Sequence, residues 1–132
     1  MNRISGFATL VVASVLAVSV LAKEPTTQGE VSYVTGGAGS DERDHLDASS
    51  QRFNLKLTHA APNGDFVSNV QVRIKDAQGQ VMLDTVTEGP LLYAKLPPGS
   101  YAVSCTFNGA QQDRSVKVGA EQTQLAFTWP AK

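Results

Sequence analysis

The chain has 132 residues, with 11 Lys and Arg against 12 Asp and Glu, for a formal charge of −1. That near-neutral balance excludes a basic nucleic-acid footprint and a polybasic membrane patch. One cysteine, Cys105, excludes an internal disulfide, so the fold must rest on its core.

The first residues read as a secretory signal peptide over 1–22. Arg3 supplies a positive start, residues 7–21 are apolar except for Thr9, Ser14 and Ser19, and Val20-Leu21-Ala22 offers a small-residue exit with cleavage after Ala22. The apolar core is about 15 residues, short of the ~20 that a spanning helix needs, and no cysteine stands at the exit to carry a lipid. An uncut signal would tether the same domain to a membrane. Cleavage removes Arg3, leaving 10 basic residues against 12 acidic ones, a charge near −2. The expected compartment is the periplasm or the medium. There a lone exposed thiol is a liability, which points to a buried Cys105.

Residues 23–30 (KEPTTQGE) are polar, with Pro25 and Gly29, and predict a flexible lead-in. The sandwich domain is expected over 31–132, beginning with a short strand at Val31 to Val34. Gly36 to Gly39 form a turn. A Gly-rich turn before a helix can cradle phosphate, but no Lys follows, and Asp41, Glu42 and Asp44 would repel an anion. Ser40 is the expected N-cap of a helix over 41–51 with negative charge on its first turn. Its apolar face is thin, Leu46 and Ala48, so it must dock on a sheet. Asp41, Asp44, His45 and Asp47 crowd this helix and are the weak candidates for a metal site. A zinc site wants three or four converging ligands, which this spacing does not supply, so a solvated helix face is the plainer expectation.

From Phe53 the apolar period becomes two. Phe53, Leu55 and Leu57 alternate with polar residues, then Val70, Val72 and Ile74, then Val81 and Leu83, then Leu92, Ala94 and Leu96, then Tyr101, Val103, Cys105 and Phe107, then Val116 and Val118, then Leu125, Phe127 and Trp129. Turn signals separate them: Asn63-Gly64-Asp65, Ala77-Gln78-Gly79, Glu88-Gly89-Pro90, Pro97-Pro98-Gly99 and Asn108-Gly109, the last being the strongest hairpin dipeptide in the chain. Short strands at this spacing predict an all-β sandwich of about seven strands, Ig-like in class, with one short N-terminal helix. Cys105 falls in step with the inward residues. His59, beside Ala60-Ala61-Pro62, is expected at the surface.

The segment LPPGSYAVSCTFNG (96–109) resembles the hallmark hairpin of carboxypeptidase regulatory-like domains, in the transthyretin-like or prealbumin-like group of β-sandwiches. KDAQGQVMLDTVTEGPLLYAKL (75–96) is similar to the strand pair that precedes it there. YVTGGAGSDERDHLDASSQRFNLKL (33–57) resembles the front of small exported bacterial proteins built on the same sandwich, whose activity is not established. The resemblance implies a prealbumin-like sandwich and says little about function, because its motifs are turn and core residues. One branch of the group hydrolyses hydroxyisourate with conserved histidines and a final Tyr-Arg-Gly-Ser. Here the last residues are FTWPAK, and the histidines are His45 and His59, which removes the basis for that activity.

No nucleophile stands out. Ser40, Ser49, Ser50 and Ser68 have local explanations as caps or surface residues, and no elbow motif accompanies the two histidines. Tyr93 is out of step with Leu92, Ala94 and Leu96, so either it faces outward, with Leu91 and Lys95, or the helix covers it. An exposed Tyr93 together with Trp129 would make a carbohydrate-binding face; Trp129 is otherwise expected in the core or at its edge. The leading expectation is a non-enzymatic exported interaction or accessory domain whose partner is another envelope protein, with no cofactor, no nucleic acid and no membrane contact once the signal is cut. The alternatives are a carbohydrate-binding module through Tyr93 and Trp129, and a metal-binding envelope protein using the acidic helix.

Overall fold

A computed structural model describes residues 25–48 and 50–130. The expected signal peptide, and Ser49, lie outside the described residues. Nine strands and one α-helix follow in order: β1 (Thr26–Gln28), β2 (Val31–Gly36), α1 (Ser40–Ala48), a 3-10 turn (Ser50–Arg52), β3 (Leu55–Ala60), β4 (Gln71–Asp76), β5 (Val81–Val86), β6 (Leu91–Lys95), β7 (Gly99–Phe107), β8 (Ala110–Val118) and β9 (Thr123–Thr128). They form two sheets, β1-β2-β6-β3-β9 and β5-β4-β7-β8. Every pairing is antiparallel except β3 with β9. The fold is an all-β sandwich with one helix.

The period-two pattern fills the space between the sheets. Leu55, Leu57, Leu92, Ala94 and Phe127 come from the first sheet, and Val72, Ile74, Leu83, Val103 and Cys105 from the second. At ~25 cal/mol per Å2 of apolar surface removed from water, these residues supply the main drive for folding. A second apolar cluster lies on the outer face of the first sheet, where Leu46 of α1 packs with Val34, Phe53, Leu91 and Tyr93. Residues Leu91 to Ala94 of β6 are therefore buried on both faces, and they read as a continuous apolar run.

Two elements depart from the sequence expectation. The lead-in carries β1, which pairs with β2 through Thr26↔Tyr33, Thr27↔Ser32 and Gln28↔Val31. A three-residue edge strand with two exposed threonines has no apolar period to betray it. The helix spans 40–48 rather than 41–51, and its cap sits one residue earlier. The Gly39 carbonyl accepts the Arg43 N–H (3.0 Å), so Ser40 is already inside the helix. Glu42, in the first turn, reaches back past the cap to the Gly-rich turn, its Oε1 accepting the Gly37 N–H at 2.8 Å.

Turn chemistry matches the residues. Asn108 and Gly109 take φ of 50° and 81°, joining β7 to β8. Gly89 lies against the backbone of Gly36, where a Cβ would sit 2.3 Å from the Gly36 carbonyl oxygen, so only glycine fits. Asn54 stitches the end of β6: its Nδ2 donates to the Leu96 carbonyl (2.8 Å), and its Oδ1 accepts the Leu96 N–H (2.9 Å).

Candidate functional site

One edge of the second sheet is β5, and the other is β8. A register shift between Ile74 and Lys75 puts Val81 opposite Lys75, Asp84 opposite Arg73 and Val86 opposite Gln71. This bulge resets the alternation, so Val81, Asp84 and Val86 share the outer face while Met82 packs toward the core. Val81 and Val86 are 48% and 52% exposed, high for large apolar side chains. Asp84 pairs with Arg73 at 3.2 Å. No Lys or Pro, the usual guards of an open edge, occurs in VMLDTV.

The backbone of this edge is partly occupied. Asp84 turns its N–H and C=O away from β4, and the side-chain amide of Gln28 meets both, each at 3.0 Å. The Thr87 N–H donates inward to the Val70 carbonyl (2.9 Å), so by ladder alternation Val86, like Asp84, presents its polar groups outward. The opposite side of the sandwich is sealed more fully. There Gln112 and Arg114 donate to the carbonyls of Thr128 and Ala126, and Thr123 donates to that of Lys117.

Beside the start of β5 the turns β1–β2 and β4–β5 and the Pro97-Pro98-Gly99 corner enclose a cleft of about 540 Å3, lined by Glu30, Asp76, Gln80, Met82, Pro98 and Tyr101 among others. No Lys or Arg is among its lining residues. The Tyr101 hydroxyl donates to the Pro97 carbonyl, and its pKa is raised by burial and then by the carboxylates of Asp76 and Glu30.

The residues singled out from the sequence fare differently. Tyr93 is fully buried under α1, and its hydroxyl donates to Asp47. Burial and then that carboxylate raise its pKa. Asp47 also pairs with Lys56 at 3.7 Å. Trp129 is fully buried between the sheets, on the opposite side of the first sheet from Tyr93. An aromatic sugar-binding face built from this pair is thereby corrected: neither ring reaches the surface, and they lie in different clusters. Asp41, Asp44, His45 and Asp47 do not converge, and among the described residues no group of three or more His, Cys, Asp or Glu side chains stands close enough to hold a metal ion. The Gly-rich turn is no anion cradle, since Glu42 already occupies the Gly37 N–H.

His59 was expected at the surface and is fully buried. β3 runs through it to Ala60, so His59 keeps the inward phase of Leu55 and Leu57. One further step of the same alternation carries that signal. Its Nδ1 accepts the Trp129 indole N–H at 3.1 Å, its ring stacks on Phe127 (centroids 5.2 Å apart), and Nε2 is buried with no hydrogen-bond partner among the described residues. Desolvation lowers its pKa to about 4. Cys105 is buried as its position in β7 implied, and burial pushes its thiol up to about 12, far from nucleophilic use.

No family model and no curated protein matches the chain. Among the described residues no helix is long and apolar enough to cross a membrane.

Proposed function

We propose that this chain is an exported, non-enzymatic interaction domain that binds an extended segment of another envelope protein along β5. The observation that carries the reading is the row Val81, Asp84, Val86 on an edge strand, with apolar side chains exposed and backbone groups turned outward. Edges of this kind accept a partner strand, whose main chain supplies affinity and whose alternate side chains supply specificity. The charge, apolar run and small-residue exit at the N-terminus support export to the periplasm or medium. The resemblance of 75–109 to carboxypeptidase regulatory-like domains accords with an accessory role rather than a chemical one. Cys105 and His59 are both fully buried, which leaves neither side chain available to a substrate.

The test is site-specific photocrosslinking in living cells. A photoreactive residue replacing Val86 is expected to trap a discrete envelope protein, and one replacing Lys117 on the opposite edge is not. Val81→Lys with Val86→Lys should abolish the capture while leaving the fold intact. Crosslinking from position 117 alone, or capture indifferent to the lysine pair, overturns the reading.

A further inference from the structure

We propose that the side-chain amide of Gln28 is a latch occupying the β5 edge in place of a strand, and that the partner is an extended segment with apolar residues flanking a basic one, which binds by displacing it. This rests on β5 being the binding edge. Gln28 Nε2 donates to the Asp84 carbonyl, and the Asp84 N–H donates to Gln28 Oε1, both at 3.0 Å. Two groups that exchange both N–H···O bonds reproduce one rung of an antiparallel ladder. The amide is thus a one-rung surrogate for a strand. A real strand makes the same two bonds at Asp84 and adds a rung at Val86.

The latch is lightly held. β1 spans three residues, pairs with β2 at three positions and exposes both its threonines. Short terminal strands with few buried contacts open at low cost. Displacement therefore requires local release of Gln28 and no rearrangement of the core.

The edge also specifies what displaces it. On the outer face a new strand meets Val81, Asp84 and Val86 in turn. Cross-strand preferences place β-branched or other apolar residues beside the valines, and a basic residue beside Asp84, where it shares with Arg73 of β4 the carboxylate that Arg73 already pairs. The cleft at the start of β5 adds Glu30 and Asp76 and no Lys or Arg, which extends the preference for positive charge. A second copy of this chain is a poorer occupant. Two β5 edges meeting on a two-fold axis at the latch set Asp84 opposite Asp84, a like-charge pair.

The experiment uses the chain as purified from the cell, with Gln28→Ala and Gln28→Glu variants. Gln28→Glu keeps an acceptor for the Asp84 N–H but loses the donor and brings a second carboxylate to Asp84, so it serves if the alanine variant folds poorly. Amide hydrogen exchange is read first. Asp84 should exchange at least tenfold faster in Gln28→Ala, which removes the acceptor, with Thr85, bonded toward β4, unchanged. Equal exchange at Asp84 in wild type and Gln28→Ala overturns the latch. The binding probe is a synthetic peptide of about nine residues, threonine alternating with valine, lysine and valine, alongside a copy N-methylated on one edge. The peptide should bind the variants at least tenfold tighter than wild type, shift the resonances of Met82, Asp84 and Val86, and lose binding on N-methylation. Equal affinity for wild type and variants overturns the latch and leaves the β5 reading standing. Shifts confined to another surface overturn both. A concentration-dependent dimer of Gln28→Ala with no peptide binding assigns the edge to a second copy and overturns the partner chemistry. No binding to any form overturns the partner chemistry too, while crosslinking from position 86 still decides the β5 reading.

Discussion

Mild acid should destabilise this sandwich through His59. The imidazole is fully buried and takes the indole N–H of Trp129 on Nδ1. Indole only donates, so Nδ1 must carry the lone pair and the proton sits on Nε2, which has no partner among the described residues. A second proton would enter on Nδ1 and break the Trp129 bond. Desolvation lowers the folded pKa from 6.5 to about 4. Above pH 6.5 both states hold neutral imidazole, and His59 adds no pH dependence. As pH falls from 6.5 toward 4, the unfolded chain takes a proton that the folded chain refuses, so stability falls with pH; below about 4 both are protonated and the loss is complete. At ~1.4 kcal/mol per pKa unit, the full loss is about 3 kcal/mol, a large share of a small domain's stability. The assay is urea unfolding followed by fluorescence of Trp129, the one tryptophan, at pH 7.5, 6.5, 5.5 and 4.5. His59→Gln, whose side-chain carbonyl still accepts the indole N–H, should flatten the profile over that interval. A wild-type profile already flat between pH 6.5 and 4.5, or a slope that survives in His59→Gln, refutes the reasoning.

Three more outcomes follow from the packing. Gly89→Ala places a Cβ 2.3 Å from the Gly36 carbonyl oxygen, so the two backbones must part, and urea unfolding should show a loss of about 1–3 kcal/mol or more. Asp47→Ala strands the buried Tyr93 hydroxyl at a cost of about 1–3 kcal/mol, and hydrogen exchange should rise in α1 far more than in β4 or β7. Cys105 should be inert to a thiol reagent in the native protein and react only at the rate of global opening; modification at neutral pH faster than unfolding would contradict its burial.

Much of the fold was legible because its signals are local. Alternation from Leu55 onward marks the inward faces, whereas Phe53, one step earlier, joins the cluster under α1, and the Asn108-Gly109 turn takes the positive φ pair its residues favour. The acidic first turn of α1 and the inward Cys105 were legible in the same way. The candidate site was hardly legible. Its three outer-face residues, Val81, Asp84 and Val86, are aligned by a bulge that disrupts the period, and β1 carries no apolar period at all. His59 was misplaced because its neighbouring turn residues outweighed one more step of alternation.

The sequence by itself therefore determined the class of the fold, the phases of most strands, most of the turns and the presence of a helix that must dock. Tertiary structure decided which strands are neighbours, including the parallel β3–β9 pair, and so which polar groups meet. Gln28 finds Asp84 across 56 positions, and His59 finds Trp129 across 70. Periodicity reports only what neighbours along the chain share. A hydrogen bond between strands of different hairpins depends on sheet order and register, which no single segment encodes. That is why the face covering Tyr93 and the latch on β5 emerge only once the two sheets are closed.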